Sequence, residues 1–123
     1  MNTRKNNEFF HVYILVSESD KSLIKIGKAN NLNRPRSFSR MGYAGKDDWY
    51  QVVSFPMSSD HEAIALESFI IAKLSNQGHK IPRVSWKNLI NGKPSYADEC
   101  FSCSVGHAIE IANEMSGVLQ KYL

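Results

Sequence analysis

The sequence predicts an α+β fold in which a small central antiparallel β-sheet is flanked by helices. Two apolar, β-rich runs separated by a short turn-rich loop near the start of the chain are typical of a hairpin. Two later stretches have apolar residues at helical spacing, each preceded by a serine that can cap a helix. A length of 123 residues, 42% of them hydrophobic, fits one domain with a real core. We therefore expect a flexible N-terminus over residues 1–8 and a single domain over residues 9–123.

The first two strands are predicted from these two apolar runs. From Phe9 to Val16 nearly every residue is apolar or aromatic, so we expect both faces of this strand to be covered. Residues 17–21 form the turn. The second strand, Leu23–Ile26, is expected to end at Gly27, where a backbone bend or a close approach requires a glycine.

A proline positions the first helix. Pro35 fits the first turn of a helix but not its interior, so we expect the helix to run from about Arg34 to about Met41. A glycine-containing loop then leads to a third strand, Trp49–Phe55.

The second helix is predicted by a capping box, in which Ser59 is followed three residues later by Glu62. The helix Asp60–Asn76 is apolar almost all round, so we expect it to be sandwiched between other elements. Glu67 falls within its widest apolar stripe. A carboxylate there must be protonated, bind a cation, or pair with Lys or Arg on a neighbouring strand.

The last third of the chain combines a turn-rich segment with a final strand and helix. Residues 77–98 form either a long loop or a hairpin that turns at Asn91-Gly92. A short strand around Cys100-Phe101 is expected next. The last helix then covers about Val105–Tyr122 and is capped by Ser104.

Positive charge is concentrated in two parts of the chain. The net charge is only +3, but Lys21–Lys46 holds seven Lys or Arg and no acid, and Lys73–Lys93 holds five more. Segregated positive charge suits a polyanionic partner, and the alternative is a solvated surface. No apolar run of about 18 residues exists, so we expect no membrane span. The N-terminus lacks the apolar segment of a signal peptide, and we expect a cytoplasmic location.

Two triplets in the predicted hairpin resemble the GIY-YIG nuclease superfamily. The first is His11-Val12-Tyr13, and the second is Lys25-Ile26-Gly27, as in a phage and bacterial branch that has KIG in place of YIG. The stretch from Glu62 to Glu67 resembles the superfamily helix that bears a metal-binding glutamate. The resemblance covers about residues 9–115.

This resemblance implies a metal-dependent endonuclease that hydrolyses DNA and leaves a 5′-phosphate and a 3′-hydroxyl. Glu67 would bind Mg²⁺ or Mn²⁺, and Tyr13 would position or deprotonate the attacking water. Lys25 and an arginine would offset charge on the phosphate. The superfamily position of that arginine is Pro35, so the role falls to Arg36 or Arg34. We favour Arg36, since Arg34 is expected to precede the fully formed helix.

Six further basic residues are candidate nucleic-acid contacts. They are Lys28, Arg40, Lys46, Lys73, Lys80 and Arg83. DNA is the expected partner, with RNA as an alternative.

Two other functions stay open at this point. A catalytically inactive module could bind nucleic acid, or a protein as an inhibitor or adaptor, and Lys25 would then be a strand-edge charge. Cys100 and Cys103, with His107, could bind zinc, although no second pair of cysteines exists.

Overall fold

The computed structural model describes residues 10–30 and 34–122, with the backbone alone at positions 34 and 35. The expected flexible segment over residues 1–8 lies outside these residues. The described elements, in chain order, are β1 His11–Ser17, β2 Asp20–Ala29, α1 Arg34–Met41, β3 Trp49–Pro56, α2 Asp60–Asn76, β4 Val84–Lys87, β5 Pro94–Ala97, β6 Cys100–Ser102 and α3 Val105–Gln120. The fold is α+β with a four-stranded antiparallel sheet, so the predicted fold class is confirmed.

The main sheet has the strand order β3-β1-β2-β6, and each neighbouring pair is antiparallel. All seven residues of β1 are buried, because the strand is central and both faces of the sheet are covered. The prediction of a strand covered on both faces is therefore confirmed.

Gly27 does not end β2, which continues to Ala29, so this predicted boundary was wrong. Gly27 is paired with Tyr13 in β1, and a Cβ atom at position 27 would lie 2.3 Å from the Tyr13 hydroxyl oxygen. The glycine is required because the tyrosine ring lies directly over its backbone, and the strand continues past this contact.

The two faces of the main sheet carry two separate cores. Val12, Ile14 and Ile24 pack with α2 and α3 on one face. The opposite face carries an aromatic cluster, which we define as Tyr13, Leu15, Phe38, Tyr43, Trp49, Trp86, Ala97 and Cys100. A second, two-stranded sheet of β4 and β5 contributes to this cluster. Of the two alternatives for residues 77–98, the structure therefore shows the hairpin.

The helices begin at the predicted caps. Ser59 Oγ accepts a hydrogen bond from the Glu62 backbone N–H, and Ser104 Oγ accepts one from the His107 N–H. The predicted range of α2 is confirmed, and α3 ends at Gln120, two residues earlier than expected. Helix α2 contacts both the sheet and α3. It is not covered all round, because Ile64 remains 44% exposed.

No helix in the described part of the chain combines the length and the apolar character that crossing a membrane requires.

The contact between Gly27 and Tyr13 gives a testable prediction. Gly27→Ala should lower the free energy of unfolding by about 1–3 kcal/mol, because the added methyl group must displace a buried ring. The matched control is Gly117→Ala in α3, where a Cβ atom meets nothing within 4 Å. That variant should be up to about 1 kcal/mol more stable than the wild type, since alanine favours the helix. Urea denaturation measures both, and a stable Gly27→Ala protein would contradict the proposed packing.

Candidate functional site

A cavity of about 310 Å³ opens where the short strand β6 leaves the end of β2 uncovered. Strand β6 pairs with β2 only from Leu23 to Lys25, so β2 extends beyond it. The lining residues are Tyr13, Lys25, Gly27, Lys28, Phe38, Tyr43, Glu67, Tyr96, Asp98 and Glu99. The cavity thus brings together Tyr13 from β1, Lys25 from β2 and Glu67 from α2.

Lys25 is buried, with 3% of the residue exposed. Its ammonium group lies 2.9 Å from Glu99 Oε1 and 3.3 Å from the Ile26 carbonyl oxygen, to which it donates. The rings of Phe38 and Tyr43 have their centroids 4.9 Å and 5.0 Å from the same nitrogen. The lysine lies between β1 and β6 in the sheet, so the alternative of a solvent-facing strand-edge charge was wrong.

Tyr13 is 1% exposed and belongs to the aromatic cluster. Its ring centroid lies 6.3 Å from that of Phe38, and its hydroxyl group lies against Gly27. Because Gly27 of β2 has no side chain, the Tyr13 phenol extends from β1 over the Gly27 backbone to the cavity.

Glu67 projects from α2 into this cavity and is half-buried. Burial raises the pKa of its carboxyl group, and the negative charge of Glu99 raises it further, against the opposing effect of Lys25 and Lys28. Lys25 pairs with Glu99, and Lys28 pairs with Asp60 at 3.1 Å. No hydrogen bond or ion pair to Glu67 is present among the described residues. The expected alternative of a lysine partner on the neighbouring strand is therefore not seen there.

The carboxylates of the cavity fit an open magnesium-type site and not a site built from three or more protein ligands. No group of three or more His, Cys, Asp or Glu side chains in residues 10–30 and 34–122 is arranged to hold a metal. Mg²⁺ is commonly bound through one or two carboxylates, with waters and substrate phosphates completing the shell. Glu67, with Glu99 beside it in the cavity, fits such an open site.

The two cysteines do not form a zinc site. Both are buried free thiols, but Cys100 belongs to the aromatic cluster and Cys103 to the core on the opposite face. Burial raises the pKa of both thiols, which disfavours the thiolate form that zinc requires. The third suggested ligand, His107, has its Nε2 atom 2.7 Å from Gln77 Oε1.

The two candidate arginines lie in α1. The helix begins at Arg34, so the reason for favouring Arg36, that Arg34 precedes the helix, does not hold. Arg36 is exposed and does not line the cavity. The Arg34 side chain lies outside the described part of the structure.

The six other predicted nucleic-acid contacts lie at different distances from the cavity in the fold. Lys28 lines the cavity, and Arg83 lies beside it, with its guanidinium carbon 5.2 Å from the ring centroid of the lining residue Tyr96. Lys46 lies 3.5 Å from Ser19 in the β1–β2 turn.

The remaining three basic residues lie on different elements. Lys73 contacts Glu114 of α3 at 3.9 Å. Lys80 lies 5.6 Å from the Phe101 ring centroid, and Arg40 is exposed on α1. Of the six residues, Lys28 is the one that lines the cavity.

Sequence reasoning missed several lining residues, of which Glu99 is the most informative. Its signal was available, because a lysine inside a covered strand needs a counter-charge and Glu99 directly precedes a short apolar strand. Phe38, Tyr43 and Tyr96 reach the cavity through tertiary packing and gave no local signal.

The T5orf172 domain model matches residues 10–116 of the chain. No curated protein and no solved structure matches it significantly.

The raised pKa of Glu67 predicts a pH dependence of stability. Between its ordinary value of 4.5 and the raised folded-state value, the carboxyl group is ionised in the unfolded chain but still protonated in the fold. Raising the pH through this window therefore lowers the stability of the wild type. Glu67→Gln removes this loss, so its stability relative to the wild type should increase with pH and then level off.

Urea unfolding from about pH 4 to about pH 8, without divalent metal, measures this difference. Glu114→Gln, at a half-exposed carboxylate of α3, is the matched control. A stability difference for Glu67→Gln that stays constant across the range would contradict the burial of this carboxylate.

Proposed function

The chain belongs to the T5orf172 domain family, and on that premise we propose that it is a metal-dependent endonuclease that hydrolyses DNA phosphodiester bonds. The family is associated with endonuclease-like modules, which indicates a nuclease-like or DNA-binding module. Within that family we assign the chain to the GIY-YIG type, in the branch with KIG as the second triplet.

The observation that supports this proposal is the convergence of three side chains on one cavity. Tyr13, Lys25 and Glu67 come from a strand, the next strand and a distant helix, and all three line it. A phenol, an ammonium and a carboxylate without an ion pair among the described residues are the groups that phosphodiester hydrolysis needs. A packing role alone would not require three such polar groups at one place.

Each of these residues has a separate task in the proposed mechanism. Glu67 would hold Mg²⁺ or Mn²⁺, and the cation supplies positive charge that stabilises the phosphate and the leaving oxygen when bound. The Tyr13 side chain would orient the attacking water or, as the phenolate, take up its proton. Lys25, fixed by Glu99 and the two rings, would present positive charge to a phosphate oxygen without needing to reorganise.

An arginine, Arg36 or Arg34, would add a second positive charge. Arg36 is exposed and is not a lining residue.

A catalytically inactive binding module is the second candidate function, and one observation favours it. The Lys25 ammonium already has a carboxylate partner at 2.9 Å, so part of its charge is neutralised before any phosphate arrives. Such a module would bind nucleic acid or a protein partner and would cut nothing.

A plasmid-nicking assay with Mg²⁺ or Mn²⁺ tests the proposed activity. The wild type should convert supercoiled plasmid to the nicked form, and Glu67→Gln should reduce this to background while keeping the fold. Glu114→Gln, which keeps every lining residue, should nick at the wild-type rate. Metal-dependent nicking by Glu67→Gln would reject its role, and a wild type that binds DNA without cutting would favour the binding module.

Tyr13→Phe separates catalysis from packing, because it removes only the hydroxyl group. The ring remains in the aromatic cluster, so the free energy of unfolding should change by no more than about 1.5 kcal/mol. The single-turnover cleavage rate should fall by about 10²-fold or more, the scale of a positioned proton-transfer group. Tyr50→Phe, at a tyrosine outside the cavity, controls for loss of a phenol elsewhere. Cleavage by Tyr13→Phe at the wild-type rate would rule out the role given to this hydroxyl.

A further inference from the structure

Tyr96 is a large aromatic residue that lines the cavity while 60% of it is exposed. It lies in β5, where its neighbour Ala97 faces the aromatic cluster and is 1% exposed. Alternation along the strand therefore directs Ala97 inward and Tyr96 outward. The other aromatic residues of the cavity, Tyr13, Phe38 and Tyr43, are buried.

The Tyr96 ring has a cationic neighbour. The Arg83 guanidinium carbon lies 5.2 Å from the ring centroid, and Arg83 Nε donates to Asp98 Oδ1 at 2.8 Å. Tyr96 is also paired with Ser85 across the β4–β5 hairpin. The exposed aromatic ring beside this guanidinium can take a second planar group in a stack.

We propose that Tyr96 is a stacking platform for an unpaired base next to the phosphate site. This inference rests on the proposed function, because it places the base beside the phosphate that Tyr13, Lys25 and Glu67 would act on. Stacking of bases on aromatic rings tolerates any sequence, because every base has a flat π-face. The Arg83 guanidinium adds positive charge near the strand's phosphates.

A base that stacks on Tyr96 must first lose its stacking on neighbouring bases, and this cost determines the preferred substrate. Inside a duplex, both faces of a base are covered by neighbouring bases, and separating them costs free energy. An exposed ring at the cavity therefore selects a nucleotide that is already unstacked, as in single-stranded DNA or at a branch. A cavity of about 310 Å³ is at the small end of ligand-sized sites and suits one nucleotide rather than a base pair.

Tyr50 provides a matched control for this proposal. It is also exposed, and it also carries a cation, since Lys21 Nζ lies 5.2 Å from its ring centroid. It lies on β3 and does not line the cavity. Any effect that comes from an exposed tyrosine beside a cation, wherever it is, should appear at both positions.

The test measures binding to one labelled oligonucleotide, used as a single strand and annealed to its complement. Fluorescence anisotropy in EDTA gives both dissociation constants without competing cleavage. Tyr96→Ala should weaken single-strand binding by about 10-fold and leave duplex binding unchanged. Tyr96→Trp should keep single-strand binding within a factor of a few, and Tyr50→Ala should bind like the wild type.

Two kinds of binding result would contradict the stacking platform. A Tyr96→Ala protein that loses both affinities equally, or neither, overturns the stacking platform. Loss of single-strand affinity in Tyr96→Trp does so too, because tryptophan preserves the aromatic face.

Single-turnover cleavage of the same two substrates with Mn²⁺ separates this proposal from the proposed function. If the binding results are as expected and neither substrate is cut, the endonuclease assignment fails and the stacking platform stands. If both substrates are cut and Tyr96→Ala binds and cuts them like the wild type, the platform fails and the endonuclease stands.

Discussion

The buried ammonium group of Lys25 is the constraint on which the site depends. A buried charge is costly unless it is paired and hydrogen-bonded, so its surroundings must supply a counter-charge. Glu99, which directly precedes β6, supplies the carboxylate at 2.9 Å, and the rings of Phe38 from α1 and Tyr43 from the following turn supply π-faces. Segments far apart in sequence are thereby fixed around one nitrogen, and the same segments form the walls of the cavity.

The pairing of Lys25 with Glu99 determines which carboxylate of the cavity has no ion pair among the described residues. Glu99 neutralises Lys25, and Asp60 neutralises Lys28, whereas the described residues give Glu67 no ion pair. Glu99 also adds negative charge that, after burial itself, raises the pKa of Glu67. A cation bound here would favour the ionised form of Glu67 and offset its repulsion from Glu99. Glu67 is therefore the carboxylate of this cavity whose charge burial and a neighbouring carboxylate most disfavour.

Local signals in the sequence predicted most of the elements and few of their contacts. Pro35 correctly predicted the start of α1, and Ser59 correctly predicted the start of α2. Asn91-Gly92 correctly predicted the turn of a hairpin. Each of these signals acts within a few residues. Tyr13, Lys25 and Glu67 were predicted from a resemblance, and their shared cavity is a finding of the structure. Tyr96 was missed because its position depends on the second sheet, which no local pattern encodes. Glu99 was missed because its place beside Lys25 depends on the strand order, although a lysine inside a covered strand signals the need for a counter-charge.

Gly27 shows how a residue can be identified correctly and still be misinterpreted. As a strand breaker it predicted the end of β2, but its actual role is to admit the Tyr13 ring, and β2 continues past it to Ala29. That continuation matters for the site, because β6 covers β2 only as far as Lys25. An uncovered strand edge has unpaired backbone groups that can hydrogen-bond to a strand of another chain. The part of β2 beyond Lys25 includes Lys28, which lines the cavity together with Glu67 and Glu99. The short pairing of β6 therefore leaves Lys28, in the continuing part of β2, at the cavity that Tyr13 also lines.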